Sequence, residues 1–346
     1  MRVLVAMSGG LDSTVAASLL LAEGAVAEGC TLSLLPCEGG EDELLRAEAA
    51  AAALLMPHTV LDLREVFRER VILPFAQAYA EGKTPNPCLL CNRHIKFGAL
   101  FSYAMERGFS HLATGHYARI ECVAGRYRLK KAADAAKDQS YVLYRLEEQM
   151  LPHLLFPLGG YEKGEVRRLA EERGLHAAAS AKESQDICFV KSGSYTSLIE
   201  ELTGGGEARG HFVDAEGRVL GPHRGIAHYT IGQHKNLAIS LGRVRYVTAI
   251  DPVSGNVTLG DEADCYRSEV LVPDMHYIAP ERPSTPFRAS VKLRYRQTEE
   301  EATVYPEGAG ARLLFDRPQR APAPGQSAVL YDGDYVIGGG EIALSR

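Results

Sequence analysis

Two groups of residues in this 346-residue chain have the types and spacing to do chemistry. The first is Ser8-Gly9-Gly10-Leu11-Asp12-Ser13, set between an apolar strand-like run, Val3–Met7, and an Ala/Leu-rich helix-like run, Thr14–Ala22. Glycines there let the backbone approach an anion, and the N–H groups at a helix start point at it. The loop lacks the G-x-G-x-x-G spacing of a dinucleotide fold and the lysine of a Walker loop. The second group is thiols. Cys88 and Cys91 stand in a Pro-flanked polar stretch, Thr84–Asn92, and Cys188 stands in Glu183–Phe189. Cys91 is expected at a helix start, where the dipole, with Arg93 and Lys96 nearby, favours thiolate. The residues alone leave three other readings open: half of a zinc site completed by Cys188 and a histidine, a redox pair, or packing. Packing is the expectation for Cys30, Cys122 and Cys265, and Cys37 stays unassigned.

The elements that must position these groups alternate over the first two hundred residues. Strands are expected at Val3–Met7, Ala25–Leu35, Thr59–Leu63 and His111–Thr114. Helices are expected at Thr14–Ala22, Glu41–Met56, Glu65–Ala80 (kinked at Pro74) and Asn92–Arg107. Such alternation implies α/β architecture: a doubly wound parallel sheet covered on both faces. Gly204-Gly205-Gly206 marks a linker, β-rich sequence follows, and Pro280, Pro283 and Pro286 mark a second boundary. The expected domains are therefore 1–203, 204–278 and 279–346, the second a small β-rich domain and the third a β-barrel. Phe287–Arg296 alternates strictly, with Arg288, Lys292, Arg294 and Arg296 on a basic outer face. Hydrophobic residues are 46 % and charged residues 24 % of the chain, typical of a globular protein and not of a disordered one. No apolar run approaches the roughly 20 residues of a membrane span. The odd count of seven cysteines and the absence of an export-signal pattern point to a reducing cytoplasmic setting. A net charge of −6 argues against a protein that coats nucleic acid, but leaves room for local docking of RNA.

The Ser8–Ser13 loop resembles the pyrophosphate loop (PP-loop) of the N-type ATP pyrophosphatases, which adenylate a carbonyl oxygen. Nearly the whole chain resembles the bacterial tRNA-specific 2-thiouridylase (MnmA) family. The resemblance rests on that loop, Thr84–Phe97 (TPNPCLLCNRHIKF), Ala113–Tyr117 (ATGHY), Lys137–Tyr141 (KDQSY), Ser184–Val190 (SQDICFV), Tyr229–Gln233 (YTIGQ), Leu293–Arg296 (LRYR), Pro324-Gly325-Gln326 and Gly338-Gly339-Gly340. It implies a sulfurtransferase that binds a tRNA anticodon arm, adenylates O2 of the wobble uridine with ATP, and replaces that oxygen with sulfur. The implied roles are residue-specific. Ala6, Met7, Ser8, Gly9, Gly10, Leu11, Asp12, Ser13, Leu32 and Gly115 hold ATP, with Asp12 a partner for Mg²⁺. Cys91 is the nucleophile, and Cys188 is the persulfide carrier with which it can form a disulfide. Asn86, Pro87 and Cys88 lie beside the target base. Lys137, Asp138, Gln139, Arg294 and Tyr295 contact tRNA, and His116 and Gln326 are linked to its recognition. The implied sulfur source is a relay protein or a cysteine desulfurase, and the enzyme is expected to act as a monomer without a membrane partner.

Two departures from the family pattern stand out. Cys88 occupies a position where many members carry aspartate, so Cys88, Cys91 and Cys188 could hold a 4Fe–4S cluster with one open iron, as an alternative to the persulfide route. After Tyr229–Gln233 the family commonly continues Arg-Lys-Gly-Leu-Gly, whereas this chain has His234-Lys235-Asn236-Leu237-Ala238. The competing functions are another PP-loop tRNA-modifying enzyme, or a sulfur-relay or Fe–S-carrying tRNA-binding protein. The intact ATP loop argues against a mere carrier.

Overall fold

The computed structural model describes residues 1–36, 41–179, 187–190, 195–203 and 210–345. Cys37, Glu183–Asp186 and the expected Gly204–Gly206 linker lie outside them. The chain enters through β1 (Arg2–Ala6), α1 (Leu11–Ala22), β2 (Val26–Ser33), α2 (Glu41–Ala53), β3 (His58–Asp62) and β4 (His111–Ala113). A hairpin of β5 (Arg119–Val123) and β6 (Arg126–Lys130) follows, and then β7 (Leu154–Leu155). The first sheet runs β3-β2-β1-β4-β7, and every pairing in it is parallel. β1 is apolar at successive positions because helices cover both its faces. Val3 and Val5 pack with Ala17, Leu20, Ala47 and Ala51 on one side. Leu4 packs with Leu100, Ala104 and Leu112 on the other. The chain moves from β1 outward through β2 and β3, then returns to place β4 on β1's opposite edge. The loops after β1 and β4 therefore part at a switch point, where open α/β sheets form their ligand crevice.

The helical run over residues 64–80 widens to i→i+5 turns at Arg68–Ile72, immediately before Pro74. Proline has no N–H and its ring crowds the preceding turn, so the disturbance expected there takes the form of a wide turn. The β5–β6 hairpin was not anticipated. Its turn residues, Ala124 (φ 50°) and Gly125 (φ 81°), are both left-handed, as the favoured two-residue hairpin turn requires.

The middle sheet contains β8 (His211–Val213), β9 (Val219–Pro222), β10 (Tyr246–Asp251) and β11 (Asn256–Gly260), in the order β10-β11-β8-β9. Phe212, Tyr229, Val247, Val257 and Leu259 form its core. The last sheet draws on β12 (Tyr266–Val272), β13 (His276–Tyr277), β14 (Phe287–Lys292), β15 (Glu300–Glu307), β16 (Gly310–Arg320), β17 (Ser327–Asp332), β18 (Tyr335–Glu341) and β19 (Leu344–Ser345). The β5–β6 hairpin joins it through Lys130 opposite Tyr335. This sheet thus takes strands from before residue 279 as well as after it. Ala289 and Val291 face its core, as their alternation requires.

Candidate functional site

The Ser8–Ser13 loop leaves the C-terminal end of β1 and turns directly into α1. Gly9 has φ 68°, and a Cβ there would lie 2.5 Å from the Ala47 nitrogen, so only glycine lets the loop rest on α2. Gly10 caps α1. The Thr14 hydroxyl donates to the Gly10 carbonyl at 2.9 Å, and the Ser13 hydroxyl donates to it at 3.2 Å. Ser13 Oγ in turn accepts from the Ser8 N–H at 3.2 Å. These bonds fold the loop over the helix start, whose first N–H groups have no partner within the helix. Gly115, beyond β4, closes the other side: a Cβ there would come within 3.0 Å of Asp12 C and Ser13 N. Met7 is tied to β2, its N–H donating to the Cys30 carbonyl at 2.8 Å. Its carbonyl accepts from the Thr31 hydroxyl at 2.9 Å. Leu32, half-buried, ends the same strand. Ala6 through Ser13, Leu32 and Gly115 therefore lie around the ends of β1, β2 and β4.

Asp12 has partners that sequence reasoning missed. Its carboxylate accepts from Lys163 Nζ at 2.7 and 2.9 Å and from the Tyr117 hydroxyl at 2.9 Å. Lys163 opens a helix, Lys163–Glu172, whose capping box of Glu162 and Glu165 was a readable start signal. Nothing in the spacing, however, linked it to Asp12.

The helix bearing the thiols starts earlier than expected. Asn86 caps it by accepting from the Cys88 N–H at 3.0 Å, and Pro87 fills its first position. Cys88 is therefore in the first turn, and Cys91 lies a turn further in. From Cys91 to Leu100 the helix widens to i→i+5 bonding. A Cβ on Gly98 would lie 2.9 Å from the Arg93 carbonyl, so glycine suits the wide turn. Residues 91 and 96 would be about 140° apart around an α-helix; i→i+5 winding brings Lys96 onto the Cys91 side.

Cys88 and Cys188 open to solvent and Cys91 is half-buried. All three nevertheless stand among enough protein that desolvation dominates their acidity. Burial raises Cys88 and Cys91, while Lys96 lowers both. Burial pushes Cys188 up to about 12, and the Cys91 and Cys88 thiols reinforce the rise. Cys91 is not at the helix start expected for it but a turn inside, where burial raises its pKa and Lys96 lowers it. Among the described residues, Lys96 acts on all three thiols, whereas Arg93 sits on the exposed face. Cys91 packs in one apolar cluster with Leu90, Ile187, Phe189 and Val190, which brings the segment bearing Cys188 beside the Cys88–Cys91 helix; the sequence left that proximity open. The three thiols are not placed as a ligand set, because among the described residues no group of three or more His, Cys, Asp or Glu could hold a metal ion.

The residues expected to contact tRNA or take part in its recognition have these partners within the protein. His116 is buried. Its Nε2 lies 3.5 Å from Lys96 Nζ and its Nδ1 lies 2.7 Å from Thr114 Oγ1. An ammonium only donates, so Nε2 is the acceptor and Nδ1–H donates to Thr114. Burial first, then Lys96, holds the His116 pKa well below the usual value. His116 thus steadies Lys96. Buried Asp138 accepts from the Ala132 N–H at 2.9 Å and the Ser140 hydroxyl at 2.7 Å. Gln139 brackets Tyr117, accepting its N–H at 2.9 Å and donating to its carbonyl at 2.8 Å. Lys137 is half-buried on the preceding turn. Arg294 donates to the Ile231 and Ala321 carbonyls at 3.1 and 2.8 Å, joining the middle sheet to the barrel. Tyr295 reaches Gln139 and lies near Cys88. Gln326 donates to the Thr84 carbonyl at 2.5 Å, while the Thr84 N–H donates to the Pro324 carbonyl at 2.8 Å. The basic face of β14 is largely neutralised. Arg288 pairs with Asp316 at 2.6 Å, and Lys292 lies 3.6 Å from Glu299 and 3.8 Å from Asp138.

A glycine loop at the switch point of a parallel sheet, with an exposed and a half-buried thiol on a neighbouring helix, defines a PP-loop nucleotide domain equipped for sulfur chemistry. The family models agree in extent: a "tRNA methyl transferase HUP domain" matches residues 1–192. A "tRNA methyl transferase PRC-barrel domain" matches 202–261, and an "Aminomethyltransferase beta-barrel domain" matches 267–342. The tRNA-specific 2-thiouridylase MnmA of Acetivibrio thermocellus is 42 % identical over 99 % of this chain and 99 % of that protein. The same enzyme of Moorella thermoacetica is 45 % identical over 98 % of each. The chain belongs to the tRNA-specific 2-thiouridylase family. Among solved structures, a 4-thiouridine synthetase–RNA complex with bound ATP aligns at 18 % identity and TM-score 0.40, covering 59 % of this chain and 50 % of that one.

Proposed function

We propose that this protein is an ATP-dependent tRNA-uridine 2-sulfurtransferase acting on the wobble uridine. The observation that carries the reading is the packing of the Ile187–Val190 segment, which bears Cys188, against Leu90 and Cys91, on a helix that adjoins the ATP loop's own sheet. Activation is needed because an amide-like carbonyl oxygen leaves poorly, whereas AMP leaves well. The loop Ala6–Ser13 with Gly115 holds the triphosphate, and O2 of the uridine attacks the α-phosphorus and expels pyrophosphate. The terminal sulfur of a Cys188 persulfide then attacks C2 and displaces AMP. Cys91 attacks the Cys188 sulfur, which releases 2-thiouridine and leaves a Cys91–Cys188 disulfide for an external thiol to reduce. Lys96 favours the Cys91 thiolate for that attack. Asp12 suits Mg²⁺ as a single carboxylate acting jointly with phosphate oxygens, the ion's usual arrangement, and Mg²⁺ there would offset the charge of the departing pyrophosphate. A 4Fe–4S cluster on Cys88, Cys91 and Cys188, with one open iron to carry sulfide, is the alternative route. The sulfur arrives from a relay protein or cysteine desulfurase, and the enzyme works as a cytoplasmic monomer on the tRNA anticodon arm.

The test is reconstitution with an unmodified tRNA and a persulfide donor, read by nucleoside mass spectrometry. Thiolation is expected only with ATP present, and its loss in Cys91→Ser and Cys188→Ser. Equal product without ATP overturns the scheme. Iron and acid-labile sulfide that vanish in Cys88→Ala would establish the cluster route instead.

A further inference from the structure

We propose that Lys163 is the phosphate-binding cation of the ATP site, held by Asp12 until the triphosphate arrives. This rests on the reading that the loop takes ATP.

The segment Ala6–Ser13 contains no cation. A helix start supplies only about half a unit of positive charge, far less than a triphosphate carries. A loop built for that anion therefore needs a lysine or arginine from elsewhere in the fold. Among the described residues, Lys163 is placed to supply it. Its ammonium spans both Asp12 oxygens at 2.7 and 2.9 Å. It also stands 5.5 Å from the Tyr117 ring, whose hydroxyl donates to Asp12 at 2.9 Å. The Lys163 side chain is only 14 % exposed, so this is not a solvated surface pair. The lysine thus lies against the loop at Asp12, the residue over which Gly115 also closes.

An ammonium is a compact point charge on a flexible stem, so it can transfer from a carboxylate to a phosphate oxygen by rotating the last bonds of its side chain. Asp12 then loses its counter-charge and becomes available to the cation that accompanies the nucleotide. The pairing thus serves two ends. It keeps two partly buried charges neutral in the empty site, and it exchanges partners when ATP binds. AMP, which lacks the β- and γ-phosphates, has less to offer the lysine, so the residue discriminates substrate from product.

The test compares ATP, pyrophosphate and AMP binding by calorimetry in wild-type, Lys163→Met and Lys163→Arg proteins, with each apo melting temperature recorded. Lys163→Met is expected to lose at least tenfold in affinity for ATP and pyrophosphate, with AMP changed less than threefold and Lys163→Arg recovering part of the loss. Equal affinities in wild type and Lys163→Met overturn the role, as does a parallel loss for all three ligands. If wild type itself binds neither ATP nor pyrophosphate, the reading of the loop fails instead. Should Lys163→Met not fold, acetic anhydride labelling of the wild-type protein decides the question. Pyrophosphate is expected to protect Lys163 relative to Lys130 while AMP does not, and labelling of Lys163 unchanged by pyrophosphate overturns the proposal.

Discussion

At the scale of single residues, the thiols show how position along a helix and burial compete. Cys88 and Cys91 were legible as chemistry because two cysteines in a polar, proline-flanked loop are poorly placed for packing. Their acidity was not legible, because desolvation depends on what surrounds them. All three thiols are raised by burial, and Lys96 works against that rise. A raised thiol stays protonated to higher pH, so iodoacetamide labelling of Cys188 should keep climbing beyond pH 9, where an ordinary thiol of pKa about 8.5 levels off. Lys96→Met should slow Cys91 labelling at pH 8 by about tenfold, since loss of a neighbouring cation moves a pKa by about one unit. Lys96→Arg should recover most of the rate. Labelling followed by peptide mass spectrometry reads both effects, and an unchanged rate in Lys96→Met would remove Lys96 from the sulfur chemistry.

At the scale of elements, the segments that stood out were those whose signal is local. β1, the glycine loop and α1 follow from an apolar run, two glycines and an alanine-rich helix. The β5–β6 hairpin did not stand out, because the strand it joins lies some two hundred residues later in the chain. The turn after Gln233 is informative for another reason. Asn236 and Ala238 stand where the family commonly has glycine, yet both keep left-handed backbone, at φ 59° and 57°. Both residues thus hold a conformation that glycine would adopt without strain. A left-handed alanine costs about 1–2 kcal/mol. Glycine gives back about 0.5–1 kcal/mol of that through its greater freedom when unfolded. Ala238→Gly should therefore stabilise the protein by about 0.5 kcal/mol, seen as a higher urea midpoint at unchanged slope. Asn236→Gly should be near neutral, because asparagine tolerates this region. A lower midpoint for Ala238→Gly would mean the turn is not strained.

At the scale of the whole molecule, the barrel rests on the segment that leads into the helix bearing Cys88 and Cys91. Motifs such as Leu293–Arg296 and Pro324–Gln326 marked which residues matter, but their contacts depend on how three sheets assemble, which no local pattern reveals. Gly325 has φ 87°, and a Cβ there would lie 2.9 Å from the Thr84 nitrogen, so the barrel loop rests directly on the segment that leads to Cys88 and Cys91. Gln326 fastens that contact through the Thr84 carbonyl, and Arg294 ties the same barrel to the middle sheet. If Gln326 positions the Thr84–Cys88 segment, Gln326→Ala removes one hydrogen bond of about 1 kcal/mol. Thiolation under saturating tRNA should then fall about fivefold, with tRNA affinity nearly unchanged. A residue that touched RNA directly would behave the other way, weakening tRNA binding while sparing the saturated rate. Single-turnover thiolation and filter binding on the same preparation separate the two, and a large loss of tRNA affinity at full saturated rate would return Gln326 to the RNA interface.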